Sequence, residues 1–165
     1  MRNYTTIILV VALVAGAMSH ATNAEDKDKK AKKMTMKLGA FSVSLAVKDI
    51  HKSRAFYEKL GFRKVAGEIK QNWIVLQNDR TTVGLFQGMF PKNLMTFNPG
   101  WNHKKETLKE FMDVREIQAQ LEKSGIKITT RADPDTTGPA SMMLADPDGN
   151  TILFDQHVPS PTKSK

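Results

Sequence analysis

Asp49-Ile-His-Lys-Ser-Arg-Ala-Phe-Tyr-Glu-Lys-Leu-Gly-Phe-Arg63 and Asp113-Val-Arg-Glu-Ile-Gln-Ala-Gln-Leu-Glu-Lys-Ser-Gly-Ile-Lys127 are two copies of one pattern. At an offset of 64 they share Asp49/Asp113, Ala55/Ala119, Glu58/Glu122, Lys59/Lys123 and Gly61/Gly125, five identities in fifteen positions. Ile50/Val114, Phe62/Ile126 and Arg63/Lys127 are conservative. The outermost identities are punctuation. An Asp suits the N-cap, where its carboxylate accepts from the free N–H groups of the first turn. A Gly ends a helix in left-handed backbone without the cost of a Cβ. The pattern predicts one helix in the region Asp49–Leu60, with Ile50, Ala55, Phe56, Tyr57 and Leu60 inward, and a second over Asp113–Ser124, with Ile117, Ala119 and Leu121 inward.

Outward from the helices, period-2 alternation marks strands. Before the first helix comes Phe41–Val47; after it come Phe62–Ala66, Trp73–Gln77 and Thr82–Gln87, with Asn78-Asp79-Arg80 as the turn between the last two. After the second helix come Ile126–Arg131, Ser141–Ala145 and Thr151–Asp155, with Asp146-Pro-Asp-Gly149 as the last turn. The strand that should precede the second helix is placed around Glu106–Met112, so Gly88–His103 becomes a linker and Ala132–Pro139 a loop. The chain is thus read as α+β, one β-α-β-β-β unit used twice.

These residues resemble the vicinal-oxygen-chelate (VOC) superfamily: glyoxalases, bleomycin- and fosfomycin-resistance proteins, and extradiol dioxygenases. The match rests on SLAVKDIHKSRAFYEKLGF, DVREIQAQLEKSGI and LADPDGNTILFDQ. It implies a VOC domain over 37–158, with modules at about 38–88 and 104–158, whose curved mixed sheets enclose a ligand cleft. It also implies where a divalent metal would be held. The first-strand ligand stands seven residues before the helix-opening Asp, which gives Ser42 and Glu106; the last-strand ligand falls at Leu153 and, in the first module, at about Gly84. Of the four, only Glu106 is a ligand-type residue, because a serine hydroxyl is a poor donor to a transition metal and glycine and leucine offer none. His103-x-x-Glu106 and Asp155-x-His157 are the alternatives from which a site could be rebuilt, while His51 falls on the exposed side of its helix.

Strand parity from those positions predicts the cleft lining: Ser42, Ser44 and Ala46 on one strand, with Phe41, Val43, Leu45 and Val47 beneath the helix; Gly84 and Phe86 on another; Leu153, Thr151 and Asp155 on the last. Trp101, with Phe97, lies in a Met- and aromatic-rich stretch that is read either as core cover or as a lid, and Met142 and Met143 are read as core. Such a lining suits a small organic molecule, uncharged or weakly charged, held without a cofactor.

Composition narrows the rest. The formal charge of +8 sits mostly on the ends: between Met36 and Val158 there are 17 basic and 14 acidic residues. Nucleic-acid binding has no basic stripe to support it. With no cysteine, disulfides, thiolate metal sites and thiol nucleophiles are excluded. Arg2, the apolar run Thr5–Met18 and the small-residue sites ending at Ala21 and Ala24 form a secretory signal over 1–24. The run is about 14 residues, short of the ~20 that cross a bilayer. A charged linker, 25–36, follows, and the tail from Pro159, 159–165, is expected to be disordered. The expectation is a periplasmic or secreted protein, with no membrane contact after signal cleavage and with a second copy of the chain as a candidate partner in a homodimer. It binds a small molecule; the alternative is a lyase, isomerase or dioxygenase using zinc, nickel, iron or manganese on an atypical ligand set.

Overall fold

The computed structural model describes residues 35–162; the predicted leader and nearly all of the charged linker, and residues 163–165, lie outside it. Both helices form where their caps dictate. Helix α1, Ile50–Lys59, follows Asp49, whose side chain accepts from His51 N and Lys52 N, each at 3.0 Å. Helix α2, Val114–Lys123, follows Asp113, which accepts from Arg115 N at 2.9 Å. Gly61 and Gly125 end them at φ +86° and +81°.

The strands are β1 (Ala40–Val47), β2 (Arg63–Glu68), β3 (Trp73–Asn78), β4 (Thr81–Gln87), β5 (Leu94–Asn98), β6 (Ile128–Thr130), β7 (Ala140–Ala145) and β8 (Thr151–Gln156). They make one mixed eight-stranded sheet in the order β2-β3-β4-β1-β5-β8-β7-β6. The central pair, β1 with β5, is antiparallel, while β1 with β4 and β5 with β8 are parallel. A pseudo-twofold therefore passes between β1 and β5. It shows in the registers: Ser44 pairs with Gly84 in one half as Thr96 pairs with Leu153 in the other, and across the centre Ser42 faces Thr96 while Ser44 faces Leu94.

Each half has its own core on the helix-bearing face. Ile50 packs with Ile74, Leu76, Val83 and Leu85 in the first; Val114 and Ile117 pack with Met142, Leu144 and Phe154 in the second. One side-chain device recurs. Gln87 Oε1 accepts from Ile50 N at 2.8 Å, and Gln156 Oε1 accepts from Val114 N at 2.8 Å, so each last strand satisfies an orphan N–H of its module's helix.

Four expectations need correction. The opening strand of the second module is Leu94–Asn98, not a segment of 106–112. Ser44 and Thr96 are 52 residues apart but Asp49 and Asp113 are 64 apart, so the second strand-to-helix connection is longer by 12 and counting back from Asp113 lands in a loop. In α1, Ala55, Phe56 and Leu60 face outward, because the buried row follows Ile50 and Tyr57 at the i, i+7 spacing; Ala119 faces outward in α2 for the same reason. Phe41 lies beyond the reach of α1 and is 48% exposed, its ring 5.2 Å from that of Phe97. The tail is anchored at Ser160, whose N donates to Thr137 O at 2.8 Å and whose Oγ donates to Asp113 Oδ2 at 2.7 Å.

Candidate functional site

With both helices on one face, the other face of the sheet is free, and alternate residues of its strands line a cavity of about 720 Å³. The volume is that of a small-molecule site. Ser42 and Ser44 of β1, with Leu94 and Thr96 of β5, form its floor. Ser44 Oγ and Thr96 Oγ1 are 3.0 Å apart in a buried hydroxyl pair on the pseudo-twofold. Trp73, Gly84 and Phe86 form one wall, Met143, Leu153 and Asp155 the other, and Phe90 and Trp101 approach from loops.

The first wall is aromatic by construction. Trp73 pairs with Phe86 across the β3–β4 hairpin, and their rings stack at 6.4 Å and 8°; Phe90 meets Phe86 at 5.1 Å. Glycine at 84 makes room for this wall, since a Cβ there would stand 2.4 Å from Phe86 Cε2. At the opposite end, Trp101 stacks on His157 at 4.4 Å and 15°, and His157 Nε2 lies 3.2 Å from Asp155 Oδ2.

Of the residues singled out from sequence, Ser42, Ser44, Gly84, Phe86, Trp101, Leu153 and Asp155 are brought together around the cavity. Glu106 is not. It closes the turn 102–106, where its carboxylate accepts from Asn102 Nδ2 at 2.8 Å. Trp73, Leu94, Thr96 and Lys105 are among the lining residues that escaped the sequence reading. Trp73 could have been found by counting across the hairpin from Phe86. Leu94 and Thr96 were hidden by the misplaced strand. Lys105 carries no local signal. Met143, read as core, points into the cavity while Met142 is buried.

A profile of the Glyoxalase/Bleomycin resistance protein/Dioxygenase superfamily matches residues 37–154. The chain belongs to this superfamily. Two solved structures, from Vibrio splendidus 12B01 and Legionella pneumophila, share the fold. A superfamily member from Vibrio splendidus 12B01 is 17% identical, covering 70% of this chain and 97% of that one at TM-score 0.50. A protein described as an NAD-dependent benzaldehyde dehydrogenase from Legionella pneumophila is 19% identical, covering 71% and 98% at TM-score 0.52. The Mn(II)-bound glyoxalase from Novosphingobium aromaticivorans is 16% identical, covering 79% and 43% at TM-score 0.45. No curated protein matches the chain.

The superfamily includes metal enzymes, so the fit of these residues to a metal is testable on their chemistry. Under the pseudo-twofold, Ser42 and Gly84 of the first module correspond to Leu94 and Leu153 of the second. Leu94 thus replaces Glu106 at the fourth position, and the set holds one hydroxyl and no carboxylate or imidazole. It does not fit a divalent cation. The rebuilt alternatives do not complete a set either. Asp155 and His157 are two neighbouring donors, His103 is exposed, and among the described residues no three His, Cys, Asp or Glu side chains gather as a metal would require.

Lys105 at the cavity and Asp113 at the cap of helix α2 are both displaced from their ordinary pKa values. Lys105 is pushed down by burial against the cavity. At the helix α2 cap, burial raises the carboxyl of Asp113, but hydrogen bonds from Ser160, Gln156 and Arg115 outweigh it and hold the group below the usual value.

Proposed function

We propose that the chain is an exported, metal-independent binding protein that sequesters a small organic molecule between its two modules. The observation that carries this reading is a cavity of about 720 Å³ with Ser42, Gly84, Leu94 and Leu153 at the four symmetry-linked positions. Affinity would come from apolar contact with Trp73, Phe86 and Phe90; an aromatic ring buried against a ligand contributes ~1–3 kcal/mol. Export rests on the signal pattern of residues 1–24, with cleavage after Ala21 or Ala24.

Native mass spectrometry and metal analysis of protein purified from its own host test the reading. An organic adduct released on denaturation, with no stoichiometric metal, supports it. Zinc, nickel, iron or manganese retained at one equivalent through dialysis would favour the lyase, isomerase or dioxygenase alternative. N-terminal sequencing of the same material tests export: a start at Thr22 or Glu25 supports it, and an intact Met1 sinks it.

A further inference from the structure

Lys105 is held in an unusual posture. Its φ of +61° lies in the left-handed region that residues with a Cβ avoid, and the turn around it is fastened from several sides. Asn102 Oδ1 accepts from Lys104 N at 2.9 Å and from Glu106 N at 3.1 Å. Asn102 N donates to Glu106 O at 3.1 Å, and Lys105 N donates to Asn102 O at 2.9 Å. The base is closed by a bridge between Trp101 and Thr107, and Trp101 O accepts from Ala40 N at 3.0 Å, which ties the turn to β1. Left-handed backbone at an ordinary residue persists only where its surroundings over-determine it, and such residues cluster at ligand sites.

This turn sets the Lys105 side chain against the cavity, half-buried beside an otherwise apolar lining. Four titratable groups line that cavity: Lys92, Lys105, Asp155 and His157. The Asp155 carboxylate is engaged by His157 Nε2. Among the described residues, no carboxylate lies within ion-pair distance of the Lys105 ammonium. A cation partly stripped of water, without a counter-ion, favours an anion that enters the same space.

We infer that the ligand carries one oxyanion, such as a carboxylate or sulfonate, on an apolar body, and that Lys105 receives it while the Trp73–Phe86 wall holds the body. The inference rests on the binding reading above, but it fails separately from it. Anilinonaphthalene sulfonate and phenylnaphthylamine share a skeleton and differ by the sulfonate, and both fluoresce on entering an apolar cavity. Titrated into the full chain, the sulfonate should bind about tenfold tighter, as a charge-assisted contact implies, and added salt should shrink the difference. Lys105→Gln should erase the preference and leave phenylnaphthylamine affinity unchanged, Lys105→Arg should keep it, and Phe86→Ala should weaken both dyes. Lys105→Asn, a residue at ease in left-handed backbone, repeats the test without disturbing the turn. Equal affinities for the two dyes in the unaltered protein would overturn the anion assignment alone. So would a preference that survives Lys105→Gln or disappears only in Lys92→Gln. If neither dye binds, or if Phe86→Ala affects neither, the cavity reading falls and the anion with it.

Discussion

Helix α1 buries one residue outright, Ile50, and leaves Phe56 and Leu60 58% and 54% exposed, whereas helix α2 buries Val114, Ile117 and Gln118. Gln118 adds two hydrogen bonds to the backbone of Ala132, at 2.7 and 3.0 Å. Asp113, Gln156, Arg115 and Ser160 join the second helix to its last strand and to the tail, while in the first half Gln87 alone plays that part. The halves also spend their aromatic rings differently. Trp73, Phe86 and Phe90 of the first stand in the cavity wall, and Phe154 of the second is core. Duplication thus preserved the chain path and the glutamine bridge, and the two copies divided the remaining work. The second carries the denser buried hydrogen-bond network, and the first the stacked aromatic wall of the cavity.

That division can be broken at its strongest point. Phe154→Ala, at a site 4% exposed, should cost about 3–5 kcal/mol in urea unfolding. Phe86→Ala should cost much less stability and instead weaken ligand binding by about tenfold to a hundredfold, read by titration. A large stability loss at Phe86 with affinity unchanged would erase the distinction. The two glutamines offer the next test. Gln156→Ala strands a buried N–H of Val114 and removes a donor from Asp113, so a loss of about 2–3 kcal/mol is expected, against about 1 kcal/mol for Gln87→Ala. Equal losses would mean that the bridges are equivalent after all.

Acid sharpens the comparison further. The folded-state pKa of Asp113 is lowered from 3.8, so its contribution is complete above the unfolded value and is lost as pH falls through the folded one. Acid titration followed by hydrogen exchange should therefore open the second half at pH below 3.8, and Asp113→Asn should flatten that dependence. The smallest effect belongs to the exposed face of α1. Phe56→Ser should change monomer stability by less than about 0.5 kcal/mol; a larger loss that grows with protein concentration would show that a second copy covers this face.

The helices were legible because their signals are local: Asp49 and Asp113 cap them, and Gly61 and Gly125 end them within a few residues of sequence. The hairpins β3–β4 and β7–β8 were legible through their turns, and with them Gly84, Phe86, Leu153 and Asp155 on a common face. What could not be read was the strand Leu94–Asn98. Its partners, β1 and β8, lie about fifty residues away on either side, and pairing at that range leaves no periodicity in five residues. Misplacing it put Glu106 in the site and left Leu94 and Thr96 out. Lys105 was invisible for another reason: its position depends on a turn that Asn102 holds through its side chain, and the sequence Asn-His-Lys-Lys-Glu looks like any solvated loop.

The hydroxyl pair on the pseudo-twofold, Ser44 with Thr96, has one further consequence for the floor of the cavity. Either oxygen can donate to the other, so in both arrangements one hydroxyl proton is left over to donate and lone pairs are left over to accept. Reversing that single bond changes which of the two residues offers the spare proton, so a carbonyl or an alcohol can be met from either side. A hydroxyl pair of this kind is ambidextrous: it discriminates little between a hydrogen-bond donor and an acceptor set against it.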